Sequence, residues 1–346
     1  MKRLILLLCV CAIPAAAQTP LVKAGQMAVG PNRMDAFDIG TVDQANEVYY
    51  LADKSNKSLD MFDLVTGKLA AQIGGFVGDT ASYTTGGPNG VVVSGGNAWV
   101  GDGDSTVKVI DIVHRTLTRT LSTGGTGRLD EVAFDARDGI FVGINDRDTP
   151  PFATLIADVG GAMTRVVVDR ATDGLEQPVY MPSDGLFYVA IPELDHIPGQ
   201  GGIAVIDPVA ARLITIFEFA DCGGTGLARG PGTRLVMGCR LAKDRTPRTI
   251  VFDTETGMLA ATIAGVGGAD MVAYGARQNR YFVAAGRMPG GPVLGVIDAT
   301  TDTALPSVPT GPGAHSVAVD EARGAVLVPI SGKDGGCGCV QVFRAP

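Results

Sequence analysis

Seven places in this 346-residue chain set a polar or charged residue just ahead of a short apolar run. They are Asp38, Asn89, Asp130, Glu176, Thr225, Asp270 and His315, with Glu131 and Gln177 beside two of them. Carboxylates brought together repel and raise one another's pKa unless a cation or water intervenes. Carboxylate and amide oxygens suit Ca²⁺, Mg²⁺ or Mn²⁺, and adding His315 brings Zn²⁺ or Fe²⁺ within range. One divalent ion held by Asp38, Asn89, Asp130, Glu131, Glu176, Asp270 and His315 is therefore expected, its identity undistinguished. Such an ion would polarise a carbonyl or activate water, with His196, His315 or Glu176 moving the proton. The plainer reading is a polar rim whose side chains bond neighbouring loop amides and ordered water.

That chemistry requires the seven residues to be equivalent in space, and the sequence supplies the reason. They recur at intervals of roughly 47 residues, a period typical of repeat architectures. Each opens a unit with a Gly-rich loop and an apolar strand, as in GPNGVVV (87–93), RLDEVAFD (128–135), GADMVAYG (268–275) and GAHSVAVD (313–320). A second strand follows, such as EVYYLAD (47–53) or RYFVAA (280–285). The third often ends in Asp, as in VKVID (107–111) and LGVID (294–298), and a turn leads to a fourth, such as KLAAQI (68–73). Four antiparallel strands repeated radially make a propeller blade. The fold class is all-β, a seven-bladed propeller spanning 18–346 as one domain. No linker or composition shift divides the chain, which argues against two domains. The last unit stops at its third strand, VQVFRAP (340–346), whereas LVKAGQMAV (21–29) is a fourth strand without a unit. The N-terminal segment is expected to complete the last blade and remove its open edge.

The unit TVKVIDIVHRTLTRTLSTGG (106–125), with GPGAHSVAVDEARGAVLVPI (311–330), resembles the YVTN or YncE-like propeller repeats. The resemblance covers the chain after its leader and implies the fold. Related propellers include metal-dependent lactonases, lyases and binding modules. An oxygen-rich axial metal resembles the gluconolactonase and paraoxonase-like propellers, and a His with a Glu resembles the streptogramin lyases. The paired Asn-Asp run of the former is missing and the ring has one His.

Loops between second and third strands should emerge on the face that carries the ring. Those of units three to seven are longer: NDRDTPPF (145–152), PELDHIPGQGG (192–202), RLAKDRTPR (240–248), GRMPGGP (286–292) and SGKDGGCG (331–338). Elaborated loops on a rigid scaffold are where recognition usually resides. Arg147, Lys243, Arg245 and Arg287 are the candidate substrate-binding cations, suited to a small anionic or ester-like molecule. His196 is the one histidine of three inside a long insert, hence a candidate general base. His114 falls in a turn between third and fourth strands, on the outer rim.

The first residues, MKRLILLLCVCAIPAAAQTP, read as a secretory signal peptide over 1–17, with a basic start, an apolar stretch and a small-residue cleavage site. A periplasmic or secreted location follows. Cleavage removes Cys9 and Cys11, leaving Cys222, Cys239, Cys337 and Cys339 for an oxidising compartment. Cys222–Cys239 is the favoured disulfide. Cys337-Gly338-Cys339 is left open as a local disulfide or two neighbouring thiols. A net charge of −8 argues against nucleic acid or an anionic membrane as partner. A Gly-x-Ser-x-Gly elbow and a Cys-x-x-Cys pair are missing, and SGKDGG lacks the strand–loop–helix context of a phosphate loop. The expected function is an exported metal-dependent hydrolase or lyase, monomeric, acting on a small ester, lactone or carboxylated substrate. The alternative is a non-catalytic module binding a ligand or protein with the same face.

Overall fold

The structure is a computed structural model that describes residues 20–240 and 246–346. The leader at 1–17, Lys243 and Arg245 lie outside the described residues. Seven four-stranded antiparallel sheets follow one another around a ring, which is the expected all-β propeller. Blade one runs Gly40–Asp43, Val48–Asp53, Ser58–Asp63 and Lys68–Gly74. Each later blade repeats that order, its inner strand opening at Val91, Val132, Pro178, Gly224, Val272 or Ala318. The last blade contains Ala318–Asp320, Ala325–Ile330 and Cys339–Arg344, and Val22–Ala28 completes it from the other end of the chain. Val22 pairs with Arg344 and Ala28 with Cys339.

Burial explains why these segments are strands. Second strands such as Arg280–Ala285 are buried at every position but the first, because they lie sandwiched between neighbouring blades. They read as continuous apolar runs, as strands covered on both faces do. The outermost Lys68–Gly74 is mostly exposed and has only Ile73 fully inside. The apolar material forms seven slabs, each shared by two adjacent blades. One slab joins Val142, Ile144 and Leu155 of blade three to Phe187, Val189 and Ile191 of blade four. A blade thus has no private core; stability comes from ring neighbours, as in other repeat architectures.

The Asp that ends many third strands closes a turn. Asp63 Oδ1 accepts from the amides of Val65 and Thr66, and Asp253 Oδ1 from those of Glu255 and Thr256. The glycine that follows, Gly67 or Gly257, takes φ of 66° or 69°, the left-handed conformation that favours glycine. His114 belongs to such a turn, three-quarters exposed with Nδ1 2.8 Å from Asp111.

The Cys222–Cys239 disulfide is formed, at one end of blade five, where Gly224 pairs with Cys239. Both cysteines are buried and 17 residues apart, so the loop-entropy view assigns the crosslink about 3 kcal/mol. Cys337 and Cys339 are bonded to each other across one glycine.

Candidate functional site

The ring residues arise from one backbone bond made again and again. The amides of Asp38, Asn89, Asp130 and Glu176 donate to the carbonyls of Ala52, Gly101, Ile144 and Ala190, each near the end of its own blade's second strand. Equivalent sequence positions therefore become equivalent points around one mouth. Neighbouring blades are also laced there: Asn89 Nδ2 donates to Leu129 O, Gly90 N to Asp130 O, and Thr225 Oγ1 to Ala269 O. Asn89 and Thr225 are fully buried and serve this lacing. A Cβ on Gly90 would lie 2.7 Å from Asp130 O and 2.8 Å from Glu131 Cα, so only glycine lets the two blades meet this closely.

Asp38, Asp130, Glu131, Glu176, Asp270 and His315 line a cavity of about 470 Å³. Lys54, Arg128, Arg147, Arg240 and Arg287 line it too, with Phe37 and Tyr83 as apolar walls. Like charges do converge, and the intervening cations are the protein's own. Lys54 Nζ lies 2.5 Å from Asp38. Arg128 pairs with Asp130 and, at 3.1 Å, with Asp146. Arg240 meets Glu176 at 2.8 Å and pairs also with Asp173. Arg147 meets Asp146 at 2.6 Å, and its guanidinium stands 5.0 Å from the Tyr83 ring centre. Arg287 is exposed and, among the described residues, has no ion pair.

These contacts split the carboxyl groups. Burial alone would raise Asp38, but Lys54, then His315 and Arg128, hold it well below the usual carboxylate range. Burial pushes Glu176 up to about 7, helped by the charge of Asp270 and opposed by Arg240. Asp130 is raised well above its ordinary value by burial, despite Arg128. Glu131 is raised by burial and by the charges of Glu176, Asp130, Asp270 and Asp38. Among the described residues its Oε2 has no hydrogen-bond partner. His315 Nδ1 donates to Gly313 O at 2.6 Å, which turns Nε2 toward Asp38 at 3.6 Å. The ring stacks on Phe37, centres 4.6 Å apart. Burial pulls the imidazole pKa down, but Asp38 more than offsets this, so the net shift is upward.

Some expected residues are elsewhere. His196 sits outside the mouth, in a tight exposed turn with φ of 58°, its amide donating to Thr172 Oγ1. Its neighbour Asp195 pairs with Arg170, which also holds Glu218. Lys54, Arg128 and Arg240 were not singled out from the sequence, although Arg128 stands two residues before Asp130 and Arg240 directly follows Cys239. For Arg128 the two-residue spacing is a usable signal, because alternate positions of an extended segment face the same side, whereas Lys54 and Arg240 share the position after a second strand.

Three of the seven residues expected to hold an axial divalent ion have a cation of the protein's own beside them. The carboxylates of Asp38, Asp130 and Glu176 each face a lysine or arginine, so an ion would have to displace those cations. Among the described residues no group of three or more His, Cys, Asp or Glu stands placed to hold a metal.

No family model matches the chain, and no curated protein matches it. It is similar in structure to hydrazine synthase from Kuenenia stuttgartiensis, with a TM-score of 0.76 at 12% identity, over 90% of this chain and 96% of that one. At that identity the likeness establishes the fold alone.

Proposed function

We propose that the charged mouth binds a small carboxylate-bearing compound, and that Glu176 exchanges a proton with it during hydrolysis or elimination. One observation carries this reading: a buried carboxyl group with a pKa of about 7 lines a small cavity beside Arg147, Arg240 and exposed Arg287. A group poised near neutrality serves either as base or as acid. Arg287 has a guanidinium to spend on a substrate carboxylate. Arg147 stacked near Tyr83 offers a planar, pre-oriented donor face. In the ionised form Glu176 takes a proton from water or from a carbon next to a carbonyl. The surrounding guanidiniums stabilise the negative charge that develops on oxygen. His315, fixed by Gly313 and Phe37, presents Nε2 to the cavity side where Asp38 lies and can return a proton there.

A second reading keeps the ligand and drops the chemistry. It is favoured by the paired state of Asp38 and Asp130, which suits a binding floor as well as a reacting one. The signal sequence at 1–17 supports a periplasmic or secreted setting for either role.

Calorimetric titration with small carboxylates and lactones, run alongside a turnover assay, separates the readings. Arg287→Ala should weaken binding about tenfold, the worth of one charge-assisted contact. Glu176→Gln should leave binding within a few-fold and remove turnover about 100-fold or more. Binding without turnover in the native chain selects the non-catalytic reading; an Arg287→Ala variant that binds every ligand normally overturns both. Metal analysis of chain purified without chelator should return no stoichiometric ion, and chelator should leave the melting temperature unchanged. A stoichiometric ion would restore the metal-dependent expectation.

A further inference from the structure

We infer that the Cys337–Cys339 disulfide is a thiol–disulfide exchange site that reacts with an external thiol or dithiol through Cys337. Three observations meet there. The bond closes over one residue, so on the loop-length relation it removes only about half the unfolded-chain entropy that Cys222–Cys239 removes. It therefore constrains the chain less than Cys222–Cys239, a pair buried at both ends and closing a longer loop. The two sulfur-bearing residues differ in access: Cys337 is exposed and Cys339 is 3% exposed. Exposed disulfides are the labile and reactive ones, and buried ones resist attack. Finally, the pair is anchored. Cys339 begins a strand held on both sides, opposite Ala28 and Ile330. The intervening Gly338 has φ of 57°, and a Cβ there would lie 3.3 Å from the backbone of Met34.

The loop belongs to the face of the charged mouth. Ser331 Oγ donates to Asp35 O at 2.7 Å, and Gly332 N to Met34 O at 2.7 Å. The disulfide thus backs the short segment that leads into Phe37 and Asp38. The exchange balances without any further reagent. An incoming thiolate attacks Cys337 Sγ; the new sulfur–sulfur bond forms there, and Cys339 leaves as a thiolate that takes up a proton. The second sulfur of a dithiol then attacks the incoming sulfur of that mixed disulfide and releases the Cys337 thiolate. The dithiol is oxidised by two electrons and the protein's disulfide is reduced by the same two.

Oxidised full-length chain treated with millimolar reduced glutathione, quenched by alkylation and mapped by mass spectrometry, tests the inference. Cys337 and Cys339 should become alkylated about 100-fold faster than Cys222 and Cys239, with the circular dichroism spectrum unchanged. Opening of both pairs together, or of neither before the protein unfolds, would overturn it. Cys339→Ser leaves Cys337 as a free thiol and should take up one glutathionyl group from oxidised glutathione. Cys337→Ser should take up none while folded; equal uptake by the two variants refutes entry through Cys337. Should Cys339→Ser not fold, acid-trapping the mixed disulfide of the native chain answers the same question, since the adduct must sit on Cys337 and not Cys339.

Discussion

Burial raises most of the buried acids of this protein, and a neighbouring cation outweighs it at Asp38 but not at Asp130 or Glu176. Asp60 is fully buried in blade one, and burial together with the charge of Asp53 pushes it up to about 8. Its partners are Ser58 at 2.6 Å and Gln72 at 3.1 Å, both neutral. A folded pKa above the unfolded one means the folded chain binds the extra proton. That stabilisation is complete below about pH 4, the ordinary carboxyl range, and is lost as pH rises through about 8. Melting temperature should therefore fall between pH 5 and pH 9, on the order of the titration of one strongly held proton. Asp60→Asn, which keeps the acceptor and supplies its own N–H, should flatten that slope and melt higher than the native chain at the alkaline end. A native chain whose melting temperature rises over this window would contradict the assignment. Glu176 has the same sign at the mouth, and under the proposed function that raised value is what proton exchange with a ligand uses.

At the scale of strands and loops, close approach decides what the mouth looks like. Gly90 shows this most directly, since its missing Cβ is where the backbone of Asp130 and Glu131 passes. Gly90→Ala should cost about 1–3 kcal/mol, the usual range for overpacking, read as a lower urea midpoint. Gly290→Ala, at a loop position where an added Cβ meets no described atom within 4 Å, should be neutral. Equal effects would mean that the blades do not depend on this contact. The strands themselves were legible because each blade needs the same alternation of apolar runs and turns. The ring was legible because equal register places equal residues at one end of each blade. The cations were not, because Arg128 stands before a ring residue, while Lys54 and Arg240 share the position after a second strand in blades one and five only. A repeat analysis finds what recurs in every unit, and no cation does. His196 misled for the opposite reason. Its long loop turns outward to Arg170 and Thr172, and loop length alone carries no direction.

The whole molecule is a ring of seven shared apolar slabs, so an error at the closing blade is felt by two interfaces. The slab between blades seven and one holds Met27 and Val29 from the N-terminal segment against Tyr49, Phe62 and Val340. Removing residues 20–28 would strip the outer strand from Cys339–Arg344 and expose its edge. Such a chain should lose on the order of several kcal/mol, since Met27 alone is worth about 2–5 kcal/mol as a buried side chain, and should aggregate on heating. A truncated chain with native melting temperature would show that the closing strand is dispensable.

The pairing of Val22 with Arg344 also imposes an order in time. The strand synthesised near the start finds its partner only when the last residues have been made, so throughout synthesis it must wait alone. Its composition suits the wait: in VKAGQMA only Met27 is buried in the finished ring, and Lys23, Gly25 and Gln26 discourage premature pairing with other chains. A strand with a single buried residue thus pairs across the whole length of the ring, and blade closure is a long-range contact.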